Sequence, residues 1–157
     1  MYRLVILSVF CCLLHLNGMT QTSGNAAANG AKKKITVKLT TSFSGFKDSA
    51  TLGVNELKAI IAQPLVVTDD KGNPLSISNF QVAYTRQIIS EDEATGKKFL
   101  STQLVTALFT SPTLSSIWIK TIKSDLLPKE ELLFYDIVAK DKKGLAYYAP
   151  NLKIRTK

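Results

Sequence analysis

The chain has 157 residues, a net charge of +8, two cysteines and one histidine. Cys11, Cys12 and His15 all fall in one apolar stretch at the N-terminus. Once that stretch is cut off, no thiol or imidazole remains, which excludes cysteine nucleophiles, histidine-assisted serine catalysis and the usual zinc and copper sites.

That stretch has the layout of a secretory signal peptide. Arg3 supplies the positive start, and Leu4 to Leu16 is apolar. Gly18 and Thr20 are the small residues at the −3 and −1 places of a cut after Thr20. The apolar run is shorter than the ~20 residues that span a bilayer. A lipid anchor on Cys11 or Cys12 is the alternative, but Phe10 precedes them and Leu13 and Leu14 follow. Both cysteines therefore read as small apolar filler. Residues 1–20 are expected to be a signal peptide and residues 21–34 a flexible leader, too polar and aperiodic to repay its own ordering. Lys32, Lys33 and Lys34 form the only basic run. They read as a solvated tether, with an anionic surface as the functional alternative. The expected location is periplasmic or secreted. No transmembrane segment is expected after cleavage, and no nucleic-acid partner for an exported chain.

Residues 35–157 read as one β-rich domain, long enough to bury a core without disulfides. Ile35 to Leu39 alternates apolar and polar residues, as a half-buried strand does. Leu52 to Ile61 is ambiguous: a short helical turn starting near Asn55 would place Leu57, Ile60 and Ile61 on one face, and Pro64 stops any helix before a strand at Leu65 to Val67. Asp69-Asp70-Lys71-Gly72-Asn73-Pro74 is a turn. A long strand runs from Phe80 to Ile89, with Phe80, Val82, Tyr84 and Arg86 on one face. Residues 91–98 form a hairpin loop, and the return strand runs from Phe99 to Phe109, with Phe99, Leu104 and Leu108 as its apolar residues. Ser111 and Pro112 signal a helix start, with Leu114, Ile117, Trp118 and Ile122 at helical spacing, although Ile117-Trp118-Ile119 would also suit a buried strand. Leu126 to Lys129 ends that helix. The most apolar strand is Leu132 to Ala139. Asp141 to Gly144 turns the chain into closing strands at Leu145 to Tyr148 and Leu152 to Arg155. The expected fold is all-β: an antiparallel, sandwich-like domain of about seven strands with one or two short helical turns.

The remaining chemistry is that of carboxylates. Three groups could supply a glycosidase-like pair: Asp69 with Asp70, the trio Glu91, Asp92 and Glu93, and Glu130 with Glu131. All lie at turns or strand ends, where solvated acids are the ordinary case. The Asp69 to Asn73 turn lacks the alternate-position spacing of a calcium loop. Asp136 interrupts the most apolar strand; alternation puts it on one face with Phe134 and Val138. It reads as a rim acid paired with a lysine, or else as a polar contact at an interface. Most aromatics read as core, and adjacent Tyr147 and Tyr148 must point to opposite faces. No glycine-rich phosphate loop occurs. No catalytic residue, cofactor or metal is expected, and the binding residues are left open.

A run of short words in one order carries a family resemblance: Asn55-Glu56-Leu57-Lys58-Ala59, Ser78 to Tyr84, Ser115-Ser116-Ile117, and Phe134-Tyr135-Asp136-Ile137 followed by Ala139 and Lys143-Gly144. Together they resemble the C-terminal domain of the GldM family, from the gliding-motility and type IX secretion machinery of the Bacteroidetes, over roughly residues 35–157. The family often places Gly-Asp before the strand ending in Asp-Ile; here Lys129-Glu130-Glu131 stands instead. The resemblance implies a β-rich periplasmic domain with a structural role, and it carries over no functional residue. The expected function is therefore an exported, non-catalytic domain that binds a protein partner or itself, with a carbohydrate- or surface-binding module as the alternative.

Overall fold

The computed structural model describes residues 37–157. The expected signal peptide, the leader and Ile35–Thr36 lie outside the described residues. In chain order the elements are β1 (Thr40–Phe43), β2 (Phe46–Lys47), β3 (Ser49–Leu52), α1 (Val54–Ile60), β4 (Leu65–Thr68) and β5 (Pro74–Glu91). They continue with β6 (Lys98–Phe109), α2 (Ser116–Asp125), β7 (Glu131–Lys140), β8 (Ala146–Ala149) and β9 (Leu152–Thr156).

The first ladder starts later than the alternation suggests. Leu39, Thr41 and Phe43 are buried in step, but only Thr40–Phe43 finds a partner. That partner, β4, is four residues long, so nothing remains for residues 37–39 to pair with. Ser44 and Gly45, both at positive φ, then close a two-residue hairpin into β2, as the twist of paired strands favours.

The strands form one mixed sheet in the order β2-β1-β4-β5-β7-β9-β3, with β6 also on β5 and β8 also on β7. This corrects the expected antiparallel sandwich of about seven strands. Nine strands are present among the described residues, and β3 runs parallel to β9. The two ends of the order, β2 and β3, are separated in the chain by Asp48 alone, which sits at φ 58°. A single-residue connection forces both ends of the sheet together, so the sheet curls nearly into a barrel instead of splitting into two layers.

Inside the curl, aromatic rings form a continuous run. Phe43 meets Phe134 at 5.3 Å between centroids, Phe134 meets Phe80 at 6.0 Å, and Phe80 stacks on Phe109 at 5.3 Å. Trp118 stands edge-on to Phe109 at 5.5 Å. The run ties β1, β7, β5, β6 and α2 into one core; tilted and edge-to-face pairs of this kind add stability beyond their area.

Both helices plug the curl. In α1, Leu57 and the adjoining Ile61 are fully buried, and the Glu56 carboxylate accepts the Gly53 N–H at the helix start. The start of α2 differs from the Ser111–Pro112 reading. Ser115 is the N-cap, accepting the Trp118 N–H, because the Pro112 carbonyl is taken by the Leu65 N–H. With that start, Ile122 and Leu126 face the core, and Ile117, about 140° round the helix from Ile122, is exposed.

Asp136 also corrects the alternation. Two opposed bulges, at Ser78 in β5 and at Asp136 in β7, shift the β5–β7 register and restore it. Asp136 takes up the extra residue at φ 49°, a conformation that Asp tolerates better than most side chains. Phe134 stays buried, Asp136 points to solvent, and Ile137 and Ala139 become the buried residues. The Asp136 carboxylate accepts from Gln81 Nε2 at 3.0 Å, and Gln81 Oε1 accepts from the Tyr135 hydroxyl. Gln81, not a lysine, is the partner.

Phe80→Ala should cost about 3–5 kcal/mol in denaturant unfolding, since it removes the middle of the ring run. Ser115→Ala should cost about 0.5–1 kcal/mol and Ser111→Ala less, read as shifts in unfolding midpoint.

Candidate interaction surface

β5 is the longest strand and outruns its neighbour. Its pairing with β7 ends at Thr85↔Glu131, whereas its pairing with β6 continues to Glu91↔Lys98. Beyond Thr85 the two strands form a ribbon with no third strand among the described residues. Its tip is an Asp-capped turn: Asp92 Oδ1 accepts the N–H groups of Ala94 and Thr95. Those bonds, that of Thr95 first, hold the Asp92 carboxyl below its ordinary range.

The point where β5 leaves β7 is fixed by Glu130. The chain turns away at Lys129, at φ 69°, so no backbone acceptor is left for the next step of the ladder. Glu130 supplies one from its side chain. Its Oε1 accepts the Gln87 N–H at 2.8 Å, and its Oε2 accepts the Leu127 N–H at 3.1 Å and the Tyr84 hydroxyl. Glu130 is 1% exposed, and its own N–H donates to Thr156 Oγ1 at 2.9 Å. The Thr156 hydroxyl in turn donates to the Leu127 carbonyl at 2.7 Å. The Glu130 side chain therefore joins β5 to the end of α2, and its backbone N–H ties on the C-terminal strand. Burial, then the hydrogen bond to Glu130 and its charge, push the Tyr84 phenol far above its ordinary value.

The other acids have structural partners as well. The Asp69 carboxylate accepts from the backbone of Lys71 and Asn73 and from Asn73 Nδ2, so the turn uses both of its oxygens. Those contacts, the Asn73 side chain foremost, lower its pKa. Glu131 points to the opposite face from Glu130 and bridges Lys153 at 3.0 Å and Arg155 at 2.9 Å. Its partial burial would raise its pKa; the two cations outweigh that and lower it. Glu130 and Glu131 are thus not the solvated pair of strand-end acids read from the sequence. Glu91, Glu93 and Asp70 are exposed. No group of three or more His, Cys, Asp or Glu among the described residues could hold a metal ion.

The outer face of the β5–β6 hairpin is different in kind. Leu100, Leu104 and Leu108 are 65%, 63% and 62% exposed, and Ile89, across from Leu100, is 74% exposed. The sequence reading took Leu104 and Leu108 only as the apolar part of the return strand. Leu100, Leu104 and Leu108 share one parity, opposite to that of buried Phe109, so the strand period itself puts them outside. Phe99, read as apolar or core, is half exposed near the hairpin tip because the ribbon there has no layer to pack on.

β6 is also an edge. Among the described residues it pairs with β5 alone, over all twelve of its residues. From Phe99 to Phe109 it carries no charge, proline or glycine. Edge strands usually carry such residues to block pairing with other chains. The other edges are guarded: β2 is two residues long and includes Lys47, and β8 lies between Lys142–Lys143 and Pro150.

No helix among the described residues is long and apolar enough to cross a membrane. No protein-family model matches the chain, and no curated protein matches it significantly.

Glu130→Ala leaves a buried hydroxyl and two N–H groups without an acceptor and should cost about 3–5 kcal/mol in urea unfolding. Tyr84→Phe should cost about 1–2 kcal/mol at neutral pH. The folded Tyr84 phenol keeps its proton to higher pH than the unfolded one, whose ordinary value is 10.0. Its contribution is therefore complete below about pH 10 and falls as pH rises beyond it. Unfolding midpoints measured from pH 8 to 11.5 should fall less steeply in Tyr84→Phe than in the parent.

Proposed function

We propose that this chain is an exported, non-catalytic β-domain that works by contact with protein, within a cell-envelope assembly. The observation that carries the reading is β6: among the described residues a free edge of twelve residues, uncharged from Phe99 onward, with three exposed leucines along one face. An open sheet edge offers backbone hydrogen bonds to an added strand, and the leucine row offers an apolar surface beside it. The acids that could have formed a catalytic pair are engaged elsewhere: Asp69 and Asp92 in turns, Glu130 in the core and Glu131 with two cations. The apolar leader supports export, and the resemblance to the GldM C-terminal domain supports an envelope assembly as the setting.

The reading as a carbohydrate- or surface-binding module needs a row of exposed aromatic rings. Among the described residues the large exposed aromatics are Phe99 and Tyr148, on different strands.

A photo-crosslinking side chain at Leu104, introduced in cells that make the chain, should capture protein from the envelope fraction. The same side chain at Val66, on β4 with paired neighbours on both sides, should capture little. Equal capture at the two positions, or none at Leu104 in a folded chain, contradicts the proposal.

A further inference from the structure

β6 reads almost the same in both directions. From residue 99 to 109 the sequence is Phe-Leu-Ser-Thr-Gln-Leu-Val-Thr-Ala-Leu-Phe. Reversed about Leu104, it returns Phe, Leu, Thr, Leu, Thr, Leu and Phe to matching places, and exchanges only Ser101 with Ala107 and Gln103 with Val105. The outer face alone, Leu100, Thr102, Leu104, Thr106 and Leu108, is a perfect palindrome. A strand that pairs antiparallel with a copy of itself meets its own sequence reversed. The self-complementarity required by a two-fold interface is thus already written along this edge.

From this we infer that β6 pairs antiparallel with β6 of a second copy, with the two-fold axis at Leu104. The inference rests on reading β6 as the contact edge and names its occupant. In this register Leu104 faces Leu104 of the other copy, Leu100 faces Leu108, and Thr102 faces Thr106. Apolar pairs and threonine pairs directly across a ladder are favourable, and like charges are not. The only charge in the strand, Lys98, falls opposite Thr110 and meets no cation.

Two further features fit a second copy. The ribbon beyond Thr85 has only two strands, and a two-stranded ribbon is marginal in water. Self-pairing makes it part of a four-stranded sheet, β5-β6-β6-β5. The register also carries half-exposed Phe99 to the Phe109 end of the other copy. At that end lies an open groove lined by Ala107, Phe109, Ser115 and Trp118, with room for an aromatic ring.

The test uses the chain purified from the cells that make it. Sedimentation at increasing concentration should show a monomer–dimer equilibrium. Leu104→Arg sets two cations face to face and should weaken the dimer at least tenfold, and Phe99→Ala should weaken it less. Circular dichroism should be unchanged in both, because the replaced side chains are exposed. The register has its own readout, since the described residues contain no cysteine. Under mild oxidation Leu104→Cys should link to itself as a dimer. Leu100→Cys alone should not, and Leu100→Cys mixed with Leu108→Cys should. A monomer at all concentrations, a dimer indifferent to Leu104→Arg, or equal linking by Leu100→Cys alone overturns the inference. A monomer whose Leu104 still captures a different envelope protein overturns self-pairing and leaves the contact function standing. Absence of both removes both.

Discussion

The interaction on which the rest of the structure depends is the satisfaction of one buried carboxyl group. Glu130 takes hydrogen bonds from Tyr84, Gln87 and Leu127, where β5 meets the chain between α2 and β7. A buried polar group of this kind is costly unless fully bonded, and costly to remove once bonded. Its value here is positional. It ends the β5–β7 ladder at Thr85 and lets the chain turn at Lys129, while the Glu130 backbone N–H and the Leu127 carbonyl hold the last strand through Thr156. Everything beyond that point on β5 and β6 projects as a ribbon.

Closure of the sheet is the second constraint. Because β2 and β3 are joined through Asp48 alone, the sheet has to bring its ends together, and the aromatic run from Phe43 to Trp118 fills the space so enclosed. The curl brings β2 and β3, the two ends of the order, together without pairing them. It leaves β6 outside the circuit as a branch on β5, and so leaves one long edge open. The open edge follows from the topology.

Several parts of this arrangement were legible in the sequence. The β5–β6 hairpin, the apolar β7 and the Asp141–Gly144 turn come from alternation and turn residues, both local signals. The parallel pairing of β3 with β9 is not local: the strands are a hundred residues apart and four or five residues long, so neither carries a period that identifies its partner. The bulge at Asp136 was half visible, as an acid in an apolar run, but alternation without a bulge assigns the wrong neighbours to the core. Glu130 had a signal that turn-based reasoning passed over. Stepping back by two from Phe134 and Leu132 reaches Glu130, so the strand period continued one step places it inside. The same period separates Leu100, Leu104 and Leu108 from Phe109. What it could not show is that no other described residue covers their face.

If Glu130 sets where the ribbon begins, its replacement should loosen the ribbon before the core. Residue-resolved amide hydrogen exchange in Glu130→Gln tests this most directly, because one acceptor oxygen is lost while the volume is kept. Faster exchange is expected at whichever of Gln87 and Leu127 faces the new amide nitrogen and along β6 from Lys98 to Gln103, with protection at Val82 and Leu132 retained relative to it. Uniform loss of protection across the sheet, or unchanged amides at both Gln87 and Leu127, would contradict the dependence on Glu130.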